Sequence, residues 1–417
     1  MIHRLAHFVV WVAFVPAAIA ADALPADYWP QWRGPTLDGH SREKNVPLRW
    51  SRTENVAWKV PVPGAGHSSP IVWQDRIFLT TCIEKELKRR LLCFSRADGR
   101  LLWSRDILTA PLERKHPLNC YATGTPATDG RYVFAAFLAA PDVWVVCCDL
   151  DGNEIWRKSP GRFYSMHGWG CGPILYKDLV ILNCDQDAPR GQQAYIVALE
   201  KATGRERWRI DRPNKIRSYC NPLIVRAADR MQMVLTGSRC VASYDPDTGA
   251  QHWLIDGPTD QFVASPVYAD ETFFITGGYP TLHIMGIRPD GSGNVSATHV
   301  RWHQRTGASY VPSPIAFDKY FAVVSDEGLC TCVEARTGRR VWSRQLGAHH
   351  RPSPVCAEGR LYFLADNGDM FVLRAAPELE LLATNSIGED CFASPAISRG
   401  QIFIRSTTSL WCIGKAQ

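Results

Sequence analysis

Residues 54–64 read ENVAWKVPVPG. The stretch has the form of a final outer strand, with a tryptophan at position 58, yet no complete unit precedes it. At the other end of the chain, ASPAISRGQIFIRSTTSLWCIGKAQ (393–417) begins as a unit and stops before its last strand. Each fragment lacks what the other supplies.

Internal periodicity is the first property to establish in such a chain. A small/polar-x-Pro phrase followed by apolar residues recurs as SSPIVW, GTPATD, CGPILY, CNPLIV, ASPVYA, PSPIAF, PSPVCA and ASPAIS. Its prolines are Pro70, Pro126, Pro173, Pro222, Pro266, Pro314, Pro354 and Pro395. Neighbouring prolines lie 40 to 56 residues apart, the spacing of propeller blades. A second mark follows each proline. VALEKATGRERW (197–208), ASYDPDTGAQHW (242–253) and TCVEARTGRRVW (331–342) share an acidic residue, Thr-Gly, and Trp four residues after the Gly. LCFSRADGRLLW and CCDLDGNEIW are looser copies. The marked tryptophans are Trp103, Trp156, Trp208, Trp253, Trp302 and Trp342, and the seventh unit carries LELL around Leu381 instead.

Within one unit the pattern reads as four short strands. PIAFD and YFAVVS flank a turn, LCTCVEA forms a third strand, and RRVWSRQ a fourth after the Thr-Gly turn. Such a sheet has two apolar faces and cannot hide both alone; packing sheets around an axis buries them. A large flat indole on the outer strand suits the seam between neighbouring sheets. The fold expected is therefore all-β: an eight-bladed β-propeller of four-stranded antiparallel blades, its last blade closed by residues 54–63. Trp58 joins the other six tryptophans as a docking residue. The domain reading is a signal peptide at 1–20, a leading segment at 21–53, the propeller at 54–414 and a tail at 415–417.

The acidic-x-x-Thr-Gly-x-x-x-Trp ring resembles the quinoprotein repeat family, also called PQQ-like or tryptophan-docking propellers, over roughly residues 54–414. The resemblance implies one of two things. Some members are dehydrogenases that bind pyrroloquinoline quinone; others bind no cofactor, and the outer-membrane assembly factor BamB is an eight-bladed example. DYWPQWRGPTLDGHS (27–41) is similar to the leading segment of exported members and is expected to cover one end of the ring.

The N-terminus has three ordered features of an export signal: Arg4, the apolar run FVVWVAFVPAAIA, and a small-x-small site at Ala18-Ile19-Ala20. The apolar run is short for a bilayer span and no second candidate follows. An exported protein, periplasmic or secreted after cleavage near Ala20, is the expectation, with no transmembrane segment. The net charge of +6 carries no basic run longer than Lys88-Arg89-Arg90, which argues against a nucleic-acid partner. Fourteen cysteines in an exported chain permit disulfides, but several stand inside apolar strand-like runs, where a buried small hydrophobe is the simpler reading.

The inner strand of each blade starts at its proline, so residues three to six positions upstream are the candidates for the axial mouth. In the first half of the chain these are His67, Tyr121, His167, Trp169, Arg217 and Tyr219. In the second half they are Gln261, Tyr310, His349, His350, Arg351 and Asp390, with Asp260 and Glu389 beside them. An aromatic-lined mouth with a few converging polar groups is a ligand site by default.

Sharper chemistry finds less support. His67, His167 and His349 have no fixed metal-ligand spacing, so no metal site is expected. The vicinal pair Cys147-Cys148 falls in a strand, where successive side chains face opposite ways. A quinone dehydrogenase needs Ca²⁺ on oxygen ligands; the adjacent Glu389 and Asp390 belong to a different blade from Asp260 and from Asn221, with no motif joining them. DGSGN (290–294) lacks the spacing of a calcium loop and reads as a hairpin turn in blade 5. No Gly-x-Ser-x-Gly, His-Glu-x-x-His or phosphate-binding loop is present. The functional expectation is a non-catalytic binding or scaffold protein with no cofactor, whose partner is a small-molecule ligand or an envelope protein. The alternative is an alcohol or sugar dehydrogenase dependent on Ca²⁺ and pyrroloquinoline quinone.

Overall fold

A computed structural model describes residues 28–415; the expected signal peptide lies outside the described residues. Eight sheets surround one axis, seven of four strands and one of five. Blade 6 shows the plan: Ile315–Phe317 inside, then Tyr320–Val324, Leu329–Glu334 and, outermost, Arg340–Gln345. The inner strands are short and almost wholly buried, while the outer ones alternate between buried and exposed residues. That gradient follows from burial on both faces near the axis and on one near the rim. Among the described residues no helix is long and apolar enough to cross a membrane.

Blade 8 is built from both ends of the chain. Ala396–Ser398, Gln401–Arg405 and Ser409–Ile413 are completed by Val56–Pro61, which pairs antiparallel with Ser409–Ile413. Trp58 stands opposite Cys412 and Val60 opposite Leu410.

The tryptophans repeat one contact. The indole N–H of Trp58 donates to the Arg96 carbonyl at 2.8 Å, Trp103 to Leu150 at 3.1 Å, and Trp156 to Lys201 at 2.8 Å. Trp208 donates to Pro246 at 3.2 Å and Trp302 to Ala335 at 2.8 Å. Each acceptor begins the tight turn of the next blade, and the indole lies on that turn's glycine. Gly204 has φ +68°, and a Cβ there would come within 2.7 Å of the Trp156 ring. Gly338 has φ +70° and would meet Trp302 at 2.4 Å. The glycine therefore serves both the left-handed turn and the stacking.

Two tryptophans depart from the expected docking. The turn that Trp253 would reach is replaced by residues 288–299, and its indole instead donates to Gln232 of its own blade at 2.8 Å. This connection holds DGSGN, which does not make the plain hairpin turn expected: Gly293–Asn294 pairs in parallel with Gln251–Asp256 of blade 4. Trp342 faces blade 7, which has no Thr-Gly turn, and its buried Nε1 has no acceptor among the described residues. Blade 7 itself carries Leu381, and the next blade offers no turn there because its outer corner is the junction of the two chain ends. Trp50 brings a buried indole to that seam, its backbone N–H bonded to Asn385 Oδ1 at 2.9 Å.

All fourteen cysteines are buried and unpaired. Cys147 packs into the core between blades 2 and 3, and Cys148 into that between blades 1 and 2, one on each sheet face.

The leading segment crosses the axis. Trp29 exchanges backbone hydrogen bonds with Val72 of blade 1, the Pro30 carbonyl accepts from Thr128 of blade 2, and Gln31 Oε1 accepts from Leu175 of blade 3. Arg33 Nη2 then donates to the Pro314 carbonyl before blade 6, and the Gly39 carbonyl accepts from Cys356 of blade 7. One end of the ring is closed by this strap.

Candidate axial site

Opposite the strap lies an open cavity of about 440 Å³ on the axis, with Trp32 at its floor. Its wall is set by the repeat. The residue three positions before each proline lines it in all eight blades: His67, Thr123, Gly170, Tyr219, Val263, Val311, Arg351 and Phe392. The residue one position before lines it in six. This is the two-residue alternation of extended chain.

The inner of these two positions also ties the blades together. Ser69 N–H donates to Thr125 Oγ1 at 2.9 Å, Ser313 N–H to Ser353 Oγ at 3.0 Å, and Ser353 N–H to Ser394 Oγ at 2.9 Å. Ser394 N–H returns to Ser69 Oγ at 3.0 Å. Ser265 uses Ser313 Oγ and Gly172 uses Asn221 Oδ1 in the same way. In six blades a hydroxyl or amide residue precedes the proline and supplies the acceptor that the neighbouring blade's buried N–H needs.

Of the residues expected at the mouth, His67, His167, Tyr219, Tyr310, His349, His350 and Arg351 line the cavity. Tyr121, Trp169, Arg217, Gln261 and Asp390 do not. Four of these stand five residues before their prolines, where the chain has turned out toward the rim, a position that reaches the cavity only at His349. Tyr121 lies under Lys115 and Arg89, Gln261 is buried in a bridge to Tyr279, and the Asp390 carbonyl accepts from Thr407 in the turn between Gln401–Arg405 and Ser409–Ile413. Trp169, four before its proline, is buried edge-on against Phe163 at 4.9 Å. Arg217 acts from behind, its Nε donating to His167 Nδ1 at 3.3 Å and its Nη1 to Asp187 at 2.8 Å.

Four ionisable wall groups come from parts of the blade that counting back from the proline does not reach, as do Leu118 and Asn119. His116 belongs to the long connection into blade 2, and Asp326, Glu327 and Asp366 to loops joining the second and third strands of blades 6 and 7. The only signal for the last three is a strand ending in Ser-Asp or Ala-Asp.

Most polar groups are already engaged. Asp326 accepts the backbone N–H of Tyr310 at 2.6 Å and of Val311 at 3.1 Å, and burial pushes its pKa above the usual carboxylate range. Asp366 is ion-paired with Arg351, which lies 4.9 Å from the Phe392 ring, while the other oxygen of Asp366 is buried without a donor among the described residues. His350 is held between the carbonyls of Leu346 and Leu364. Burial, with Arg405, Arg351 and Lys115 nearby, pushes His67 down to about 4, so its imidazole is neutral near pH 7. His167 is lowered for the same reasons, burial first and then Arg217 and His116.

Comparison with known proteins gives a consistent picture. A family model described as outer membrane protein assembly factor BamB matches residues 49–157, 141–292 and 291–381. No curated protein matches by sequence. Among solved structures, BamB from Moraxella catarrhalis superposes with TM-score 0.60 at 11% identity, covering 85% of this chain and 98% of its own. A europium-containing methanol dehydrogenase gives 0.64 at 10% identity, with 92% and 91% covered. The quinohemoprotein alcohol dehydrogenase of Comamonas testosteroni gives 0.63 at 12%, with 95% and 82% covered. At these identities the likeness is one of fold.

Proposed function

Because the chain belongs to the PQQ-like propeller family of the outer-membrane assembly factor BamB, we propose that it is a non-catalytic binding or scaffold protein of the cell envelope. It takes its ligand or partner at the axial mouth. The observation that carries this reading is the commitment of the cavity's own polar groups. Ca²⁺ needs six to eight oxygen ligands. Here Asp326 is spent on two backbone N–H groups, Asp366 on Arg351, and Asn221 Oδ1 on Gly172. Among the described residues no three His, Cys, Asp or Glu side chains converge as a metal-ligand set. Glu389 accepts instead from Lys59, Ser406 and Trp411 beside blade 8, and Asp260 pairs with Arg239. The residues present do not fit a Ca²⁺–quinone centre, and no redox step is assigned to them. Export of the chain is part of this proposal, supported by the signal-like residues 1–20.

Two measurements test it. Photo-crosslinking in intact cells from Leu118, 56% exposed at the rim, should give an adduct that Leu379, on a turn at the strap end, does not. Equal labelling from both positions, or none from either, counts against the mouth. Adding Ca²⁺ and pyrroloquinoline quinone should produce neither a stoichiometric quinone spectrum nor alcohol-dependent dye reduction. Appearance of both would favour the dehydrogenase reading suggested by the two dehydrogenase folds.

A further inference from the structure

At the strap end of the ring, away from the axial cavity, one cysteine stands among groups that can activate it. Cys356 lies on the inner strand of blade 7, Val355–Ala357. Its N–H donates to the Gly39 carbonyl and its own carbonyl accepts from Ser41, both at 2.8 Å, so that it pairs in parallel with His40 of the strap. Paired residues project their side chains to the same side of the sheet, and the His40 imidazole meets the Cys356 thiol. His40 Nδ1 lies 3.3 Å from Asp38 Oδ1. That carboxylate is fixed in turn by the His40 backbone N–H at 3.1 Å and the Thr36 hydroxyl at 2.6 Å. Burial opposes a charge on His40, but Asp38 and Cys356 outweigh it and raise the imidazole to about 10, so it is protonated near pH 7. The other ionisable groups nearby are engaged elsewhere: Arg33 donates to the Asp38 carbonyl, Tyr362 to the Pro47 carbonyl, and Glu358 pairs with Arg360.

Thiol, imidazole and orienting carboxylate are the parts of an activated nucleophile, and an imidazolium favours the thiolate beside it. The other thirteen thiols are pushed up by burial, which keeps them protonated and inert. Cys356 is 7% exposed, under a His40 side chain that is 33% exposed. Such an opening suits a reactant little larger than water. We propose that Cys356 is a site of oxidation by small hydroperoxides, with His40 and Asp38 positioning and charging it. The thiolate sulfur attacks one peroxide oxygen; the S–O bond forms as the O–O bond breaks. Sulfur gives up two electrons and becomes a sulfenic acid. The leaving hydroxide takes the proton of the His40 imidazolium and departs as water.

Peptide mapping of the full protein tests this. After one equivalent of hydrogen peroxide and a catalase quench, unfolding in guanidinium with excess dimedone and N-ethylmaleimide tags every sulfenic acid. Cys356 should carry at least about ten times the tag of any other cysteine, and its rate of oxidation should be nearly flat between about pH 6 and 8. His40→Gln should slow it about tenfold or more at pH 7 and make it climb with pH toward the ordinary thiol range of about 8.5. Asp38→Asn should slow it by less. Tag spread evenly over several cysteines, or absent from Cys356, overturns the proposal, as does an unchanged rate in His40→Gln. A rate in the unmutated protein that climbs about tenfold per pH unit through 7 overturns it too, and that measurement needs no variant to fold.

Discussion

The indole of Trp302 hydrogen-bonds the carbonyl of Ala335 in the next blade at 2.8 Å. Trp342 occupies the corresponding place one blade further on, and its buried Nε1 meets no acceptor among the described residues. Same residue and same strand position give different bonds, because blade 6 offers a Thr-Gly turn and blade 7 does not. Replacing each by phenylalanine separates the bond from the ring. Trp302→Phe should cost about 1 kcal/mol more than Trp342→Phe, the net worth of one hydrogen bond with its buried acceptor left bare. Midpoints and slopes of urea unfolding for the two variants decide it.

The serine circle around the axis predicts a sharper loss. Ser69 is 3% exposed, and its hydroxyl accepts the N–H of Ser394. Ser69→Ala leaves that N–H buried without a partner, at about 1 to 3 kcal/mol. Ser69→Thr keeps an oxygen and should recover most of the difference in the same unfolding experiment.

Asp185 and Arg212 form a fully enclosed ion pair, with Nε to Oδ1 at 2.9 Å and Nη2 to Oδ2 at 3.0 Å. Removing one partner strands the other. Asp185→Ala should destabilise by about 3 to 5 kcal/mol, and the double replacement Asp185→Leu with Arg212→Met by much less. Equal losses for single and double variants would show that packing, not charge, holds this corner.

His67 sets a pH dependence. Its folded-state value, pushed down to about 4, lies below the 6.5 of a free imidazole. The unfolded chain therefore binds the proton first as pH falls. The stability held by neutral His67 is full above about 6.5 and is lost progressively toward 4, to a total of roughly 3 kcal/mol. A His67→Gln variant should lose less stability across that window. Direct titration of the ring by NMR should give a midpoint near the lower end.

Much of this architecture is legible in the chain. The eight prolines give the blade number, and Trp58 marks the strand that closes the ring. The cavity wall is written in the same signal, since the position three before each proline faces the axis throughout. A window of three to six residues upstream includes that position but also takes in Tyr121, Gln261 and Asp390. Nothing in a loop's composition tells where the chain leaves the axis. The docking exceptions depend on two blades at once: Trp342 looks normal until its neighbour's missing glycine is considered. The carboxylates of blades 6 and 7 come from loops the repeat does not mark.

Pairing Val56–Pro61 with Ser409–Ile413 also imposes an order on biogenesis. The first propeller strand to leave the ribosome must wait, unpaired and with its tryptophan bare, until about 350 further residues have been made. Contacts of such separation are slow to form, and an exposed strand is prone to wrong partners meanwhile. The last blade is thus a checkpoint on synthesis: a chain cut short anywhere before Ser409 keeps its early strand orphaned, whatever the condition of the other seven blades.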